Sequence, residues 1–488
     1  MTSKKIILFL SFGFIFLSSV FLLNAIKDHE KDNIPDIIER FIPTSVKRFL
    51  LENIFYKNVL NRKIERLGQR VKAKDKELKF EGKLVDQLLH EMYANGLDNL
   101  KFIKVKDKES LISKNGFNYK LTTFQTDYLS GNTWPHTKAT AYLDMFEDNL
   151  FLVSKDGVIS YIDISELNGN NFQTKIIPNN LKKIIDYDDW WSKPGGKGIK
   201  HALINDGKIY LSYTNLVDKD CYNTSILVAE ISFDLLKFNE FFEPPTCLNV
   251  RSGYNRWSHN SGGGKLFPLD NEHLLFSHGG FKTRVNAQDN SSVFGKIISI
   301  NKNSKEWSII SKGHRNVQGL FYNSDKNFII NTEHGPMGGD EININNLNEQ
   351  KEKNYGWPIS SYGEHYGGIE KNKENYKEAP LYKSHLDYGF IEPTKYFVPS
   401  IGISDIEKVS KKFNQNFTND YFVGALGFTL SEGDKSIHHI RLNDENNQII
   451  FNDIIPINER IRDIHYLDQS NKVVFWIENS ASIAVLER

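Results

Sequence analysis

The segment QGLFYNSDKNFIINTEHG, residues 318–335, joins two short apolar runs through a polar turn and ends abruptly in polar residues. Runs this short, punctuated by Asn, Asp and Gly, read as the strands of a hairpin and not as turns of a helix. What decides the fold is that the pattern returns. It stands at AYLDMFEDNLFLVSKDGVISYIDI from Ala141, HALINDGKIYLSYT from His201, KLFPLDNEHLLFSHGG from Lys265 and DIHYLDQSNKVVFWIEN from Asp463. A weaker copy is split between IGISDI near Ile401 and YFVGAL at Tyr421. That makes six copies, spaced by roughly 50 to 85 residues, as expected of blades that surround an axis and bury their faces against their neighbours. The reading is therefore all-β, a six-bladed β-propeller over residues 116–488. A ring must close, and FNYKLTTF near Phe117 is placed to pair with ASIAVLE near the C-terminus, removing the open edges of a linear stack. A pair of β-sandwiches is the competing architecture.

Upstream the character changes. Residues 27–115 are rich in Lys, Glu and Leu, poor in Gly, and apolar at helical spacing (Val46, Phe49, Leu50, Ile54, then Leu84 and Leu88), which predicts a short helical region. It reads as a partner-docking stalk or as a spacer. Residues 6–23 are apolar and uncharged, follow Lys4 and Lys5, and are long enough to span a bilayer as a helix. Residues 1–26 thus predict a signal-anchor in the inner membrane with the rest exported to the periplasmic side. A cleaved signal peptide is the alternative, although Leu23-Asn24-Ala25 matches a cleavage site poorly. Lys plus Arg and Asp plus Glu number 61 each, so there is no electrostatic footprint for nucleic acid, and a charged ligand must be met by a local cluster. The two cysteines, Cys221 and Cys247, flank the strand-like run SILVAEISF; in an oxidising compartment they form a disulfide, otherwise two buried thiols.

The densest run of unusual residues is GHRNVQGL from Gly313, EHGPMGGDEIN from Glu333 and NYGWPISSYGEHYGG from Asn354. On the repeat reading, Arg315 and Asn316 stand just before the innermost strand of the fourth blade, and the EHGP turn follows its second strand. Loops at such positions open on one face of a propeller, where rigid blades can hold a ligand site. A guanidinium forks carboxylates and stacks on rings, so Arg315 suits a planar anion. The Gly335-Pro336 turn leaves carbonyl oxygens, hard ligands suited to Ca²⁺. Arg460 and Arg462 alternate along the start of another strand and so share a face. Two arginine-bearing loops aimed into one hole require an anion there.

These motifs resemble the PQQ-dependent glucose/sorbosone dehydrogenase family (aldose sugar dehydrogenases), in GHRNxQG, EHGPxGGDEIN and NYGWP. The resemblance extends to AQD at Ala287–Asp289 and RIRD at Arg460–Asp463, and covers roughly residues 195 to 488. It implies that Arg315 and Asn316 contact PQQ, that Tyr366 lines it, and that Arg460 and Arg462 meet its carboxylates. The carbonyls of Gly335 and Pro336 would hold a catalytic Ca²⁺. Glu341 and Tyr355 fall where related members place a structural Ca²⁺; on the residues alone both read equally as blade packing. In such enzymes a His acts as general base on the anomeric hydroxyl of a sugar while hydride passes to the quinone, and the electrons go on to a membrane or periplasmic acceptor.

The sequence departs from the family at three places. His259, in WSHNSGGGKL, is the imidazole available as base, yet it stands two positions early, with Ser261 at the aligned place. Gly427 replaces a cofactor-contacting Lys, unless Lys435 returns there, and Gly195 a Gln. The expectation is an exported PQQ- and Ca²⁺-dependent oxidoreductase acting on the C1 hydroxyl of an aldose or related sugar. An inactive propeller serving as a binding module is the alternative. A Ca²⁺-dependent hydrolase, which needs a ring of axial carboxylates at the blade starts, is the third reading.

Overall fold

The computed structural model describes residues 100–488, apart from 127, 129, 131–136, 187–188, 191–195, 250–258, 282, 350–351, 367–372, 379, 382–383, 414–416 and 428–432. The chain divides into two compact units, residues 1–80 and 81–488, and all described residues belong to the second. The expected membrane segment and most of the expected helical region lie outside them. Among the described residues no helix is long and apolar enough to cross a membrane.

The second unit is a six-bladed propeller. Its innermost strands are β3 (Ala141–Phe146), β7 (Ile199–Asn205), β12 (Gly263–Pro268), β16 (Val317–Asn323), β20 (Ile403–Val409) and β24 (Ile461–Leu467). They contact one another in that order and β24 returns to β3, so the ring is closed. Each starts one of the six sequence copies. Three blades are simple four-stranded meanders: β12 with β13 (His273–His278), β14 (Lys296–Asn301) and β15 (Trp307–Lys312); β16 with β17 (Phe328–Glu333), β18 (Asp340–Asn346) and β19 (Lys395–Phe397); β20 with β21 (Asp420–Ala425), β22 (Ser436–Leu442) and β23 (Ile449–Pro456). In the second blade β7 is followed by β8 (Lys208–Asp218), β9 (Cys221–Glu230) and β10 (Asn239–Phe242). There Cys221 and Cys247 are joined in a disulfide with their Cα atoms 5.4 Å apart.

The middle strands explain why the sequence shows apolar runs and not strict alternation. Strand β4 (Asn149–Ser154) and its counterparts β13, β17, β21 and β25 (Lys472–Ile477) are buried on nearly every residue, because each blade is covered on both faces. Six apolar clusters result, one at each blade interface. Phe151, Leu211 and Leu227 represent the first, and Trp476, Val474 and Leu143 the last, which seals the sixth blade to the first. Each such side chain, fully buried, contributes about 1.5–3 kcal/mol. The turns between first and second strands carry Glu147, Asp206, Asn327 and Asn471 in the left-handed region, with φ from 51° to 55°.

Closure follows the expected pairing. Strand β2 (Asn118–Gln125) lies antiparallel to β26 (Ser482–Glu487), with Lys120 opposite Glu487 and Gln125 opposite Ser482. It completes the last blade, β24–β25–β26–β2. Strand β1 (Leu100–Ile112) corrects the helical expectation for residues up to 115. Its first residues pair with β6 (Asn171–Ile176), the outer strand of the first blade, and the remainder with β2. It therefore lies on the rim across two blades, where a strand with four lysines is exposed and tolerated. That composition made it look helical.

Candidate functional site

Inner strands of a propeller all run the same way along the axis, so residues before them, and turns from second to third strands, open on one face. His259, Arg315, Asn316, Arg460 and Arg462 stand before or at the start of β12, β16 and β24; Gly335 and Pro336 form the β17–β18 turn. These seven positions thus lie at one face of the ring. Arg462 reaches across it: its Nη1 donates to Oε1 of Gln318, three residues after Arg315, at 3.2 Å.

The three motif segments are one packed unit. Gln288, in the AQD segment, donates to Asn354 Oδ1 at 3.1 Å and to the Trp357 carbonyl at 2.7 Å, while Asn354 Nδ2 donates back to its Oε1 at 2.7 Å. Gly313 sits under this clamp at φ 74°, and a Cβ there would overlap Asn354 and the Gly356 amide. Arg315 is positioned next. Its amide donates to Glu333 Oε1 at 2.6 Å, and Glu333 Oε2 holds His314 Nδ1 at 2.7 Å. The guanidinium, with Nη1 on the His334 carbonyl at 2.8 Å, lies 5.6 Å over the Trp357 ring, and burial lowers its pKa. Asn316 stitches two blades: Oδ1 accepts the Gly263 amide at 3.2 Å and Nδ2 donates to the Asn260 carbonyl at 3.3 Å. Tyr366 is 55% exposed.

The two C-terminal arginines share an anion that the sequence reading missed. Glu478, directly after β25, is wholly buried; its Oε2 accepts Arg460 Nε at 3.1 Å, its Oε1 Arg462 Nε at 2.7 Å and the Thr140 hydroxyl at 2.8 Å. Burial opposes its charge, but Arg462 and Arg460 outweigh burial and hold its pKa low. The need for an anion between the arginines is therefore met in part from within. Arg460 also donates to the Leu426 carbonyl and is spent in the wall, whereas Arg462 lines the axial cavity. An acid at the end of an all-apolar run, as in VVFWIEN, was the available signal.

That cavity, about 20 Å³, is lined by Tyr142, Lys200, Lys265, Gln318, Arg462 and Asp463, among others. Deeper on the axis, Lys265 Nζ lies 2.7 Å from Asp405 and 3.1 Å from Asp463. Axial carboxylates do exist, then, but inside the strands and not at the blade starts. They act as staples between blades: Asp463 accepts the Leu143 amide at 2.7 Å, Asp144 the Ile204 amide at 2.5 Å and Asp405 the Ile464 amide at 3.1 Å. With Lys265 between them they leave no cation ring of the kind a Ca²⁺-dependent hydrolase needs. Among the described residues no group of three or more His, Cys, Asp and Glu is arranged to hold a metal.

A hard cation could instead be held by carbonyls. Among the described residues no hydrogen bond ends on the carbonyl of Gly335 or Pro336. The turn is pinned by Asp340, whose Oδ1 accepts the Gly335 amide at 3.1 Å. Behind it a cavity of about 10 Å³ brings together Arg315, Glu341, Tyr355, Ser360 and His385. Among the described residues no hydrogen bond is made by either ring nitrogen of His385 or by the Ser360 hydroxyl; His385 Nε2 lies 3.4 Å from Glu341 Oε1. Burial raises the pKa of Glu341. Tyr355 stacks on His314 at 4.9 Å and donates to the Ile344 carbonyl at 2.9 Å, which is packing, while two carboxylates line the cavity: Glu341, and Glu333, which is already held by His314 and the Arg315 amide.

His259 is wholly buried, edge-on to Tyr222 at 4.6 Å and to Phe281 at 6.2 Å. Burial, with Lys197 and Lys200 nearby, pushes its pKa down to about 2. The ring is neutral at every working pH. His278 is structural, accepting the Thr224 amide at 3.1 Å and paired with the Gly279 carbonyl at 2.9 Å. A Cβ at Gly427 would overlap the Asp434 carboxylate, so a Lys there would require that side chain to move. Gly195 lies outside the described residues.

The model of the Glucose / Sorbosone dehydrogenase family matches residues 199–485. Over 248 residues the chain is 31% identical to an uncharacterized protein of Synechocystis sp., covering 46% of this chain and 55% of that one. Over 233 residues it is 30% identical to aldose sugar dehydrogenase YliI of Escherichia coli, covering 45% and 58%. The chain thus spans somewhat over half the length of these curated relatives. Among solved structures, the soluble aldose sugar dehydrogenase of Escherichia coli in its apo form superposes with a TM-score of 0.56 at 22% identity, over 78% of this chain and 99% of that one. A glucose dehydrogenase gives 0.55 at 21%, over 74% and 99%. These two likenesses are of fold.

Proposed function

The chain belongs to the glucose/sorbosone dehydrogenase family, and from that premise we propose that it is an exported PQQ- and Ca²⁺-dependent oxidoreductase acting on the C1 hydroxyl of an aldose or related sugar. The observation that carries this reading is that Arg315 and Arg462 stand at the same face of the ring, beside two main-chain carbonyls on which, among the described residues, no hydrogen bond ends. That donor set fits a flat tricarboxylate next to a hard divalent cation. The chemistry such a pair supplies when bound is acceptance of hydride by a quinone whose carbonyl the cation polarises.

The chain's own residues do the rest. Arg315, fixed by Glu333 and the His334 carbonyl, presents a planar face backed by Trp357. Arg462 offers the guanidinium edge not taken by Glu478. Gly335 and Pro336 would supply carbonyls to the catalytic cation, and Glu341 a carboxylate to a structural one. His259 would take the proton from the C1 hydroxyl. It is held neutral as a base must be, but so low a pKa makes it a weak one, and the sugar must come in past Tyr222 and Phe281. The disulfide supports an oxidising compartment, consistent with export and an anchor at residues 6–23. Electrons would pass to a membrane or periplasmic acceptor.

The test is reconstitution of the full chain with PQQ and Ca²⁺, followed by dye reduction across a panel of aldoses. His259→Gln should lower kcat by about 100-fold or more with cofactor affinity unchanged; an unaltered kcat removes His259 from the mechanism. A second reading, a propeller that binds but does not turn over, is favoured by the burial of His259 and by the glycine at position 427. Cofactor binding without reduction of dye by any sugar would select it.

A further inference from the structure

Lys200, the second residue of β7, lies on the wall of the axial cavity beside Arg462. Its ammonium donates to two neutral acceptors, the main-chain carbonyls of Gly196 and of His259, the latter at 2.9 Å. Among the described residues no carboxylate pairs with it. The acids at hand are committed elsewhere: Glu478 to Arg460, Arg462 and Thr140, and Asp405 and Asp463 to Lys265. The neighbours that act on it make matters worse. Burial disfavours its charge most, and Lys155 and Arg462 push in the same direction. A half-buried ammonium beside two other cations is costly unless an anion comes to it. The cavity into which it looks has room for little more than one carboxylate oxygen or one water.

We propose that Lys200 is a cofactor-binding residue, which with Arg462 grips one carboxylate of the quinone. The assignment rests on the reading of the protein as a quinoprotein. It also gives a reason for the carbonyls of Gly196 and His259: they aim the ammonium at the axis and tie the segment bearing His259 to the second blade. Lys197 and Lys265 find acids, Asp189 at 2.7 Å and Asp405 and Asp463; Lys296, held by three main-chain carbonyls, shows that carbonyls alone can also house a lysine, and what sets Lys200 apart is its place on the cavity wall beside Arg462.

The experiment titrates PQQ into the full apo chain in Ca²⁺-containing buffer, following intrinsic tryptophan fluorescence, for the parent protein, Lys200→Met, Lys200→Gln and Lys200→Arg. Apo thermal unfolding is measured in parallel. Losing one charge-assisted contact should weaken PQQ binding about 10- to 100-fold in Lys200→Met and Lys200→Gln. Lys200→Arg should bind within a few-fold of the parent. Because the variants lose a half-buried, crowded charge, the apo midpoint should stay level or rise. Equal PQQ affinity in the parent and Lys200→Met overturns the assignment alone, as does a large fall in the apo midpoint of both Met and Gln variants. A defect confined to KM for a uronic acid would move the lysine to the substrate and overturn it too. Failure of the parent itself to bind PQQ defeats the quinoprotein reading, and the assignment with it.

Discussion

The axis of the propeller carries two charge systems of opposite design. In its deep half, Lys265 is held by Asp405 and Asp463, and the remaining carboxylate oxygens are taken by amides of the next blade. At the mouth, Lys200 is answered by carbonyls, Arg315 by a carbonyl and a ring face, and two arginines divide one glutamate. The deep set is satisfied from within the protein and holds the ring closed. The mouth set is left with positive capacity directed at something else. Buried polar groups are affordable when saturated, so the unsaturated half is where a ligand should be sought.

The largest expected effect breaks the deep half. Lys265→Met leaves Asp405 and Asp463 facing each other without a cation, and stripping one partner from a buried ionic set costs about 3–5 kcal/mol. Burial works against the charge of Lys265, but the two carboxylates outweigh it and hold its pKa above the usual lysine range. Urea unfolding at pH 8 should show the loss in full. At pH 5 it should narrow, because the paired carboxyls can then share a proton. An unchanged urea midpoint at pH 8 would mean that the deep half is not bound together by this lysine.

A smaller effect, of different kind, is expected at the mouth. Glu478→Gln deprives Arg460 and Arg462 of their anion and should cost about 2–3 kcal/mol, less than in the deep half because the Arg462 side chain is 18% exposed and water can relieve it. Unlike the loss in Lys265→Met, this one should be recovered by millimolar sulfate or phosphate, read as a rise in the thermal midpoint of the variant beyond that of the parent. If added anion stabilises both variants alike, the two halves do not differ in the way described.

How much of this was legible beforehand depended on distance along the chain. The six blade starts could be read because each hairpin is local, with apolar runs around turns at Asp206 or Asn327, and the closing strand because its partner is equally apolar. Arg315, Asn316, Gly335 and Pro336 could be singled out because one continuous stretch carries them, and Gln288 clamps that stretch shut. Glu478 and Lys200 could not. Each looks ordinary in its own strand, and only the ring brings Glu478 to both arginines and Lys200 to Arg462. The burial of His259 was equally hidden, since its aromatic walls, Tyr222 and Phe281, come from different blades. Strand β1 misled for a different reason: on an exposed rim, composition no longer reports the period.

The smallest effect sharpens the comparison by titration. Burial pushes the pKa of Asp405 up to about 7, Asp463 adds to the rise and Lys265 opposes it. Folded, this carboxyl holds its proton more tightly than an unfolded one, so its contribution to stability is full in acid and is lost as pH climbs from about 4 through 7. Asp405→Asn removes the titration while keeping an oxygen to accept the Ile464 amide. At pH 5 the variant should lie within about 1 kcal/mol of the parent, and between pH 4 and 7 the parent should lose stability relative to it. The check is the difference between two urea-derived profiles taken across that window. Parallel profiles would mean that Asp405 stays ionised throughout, with Lys265 alone sufficient to keep it so, and the deep half would then be an ordinary ion-pair set and not a proton-sharing one.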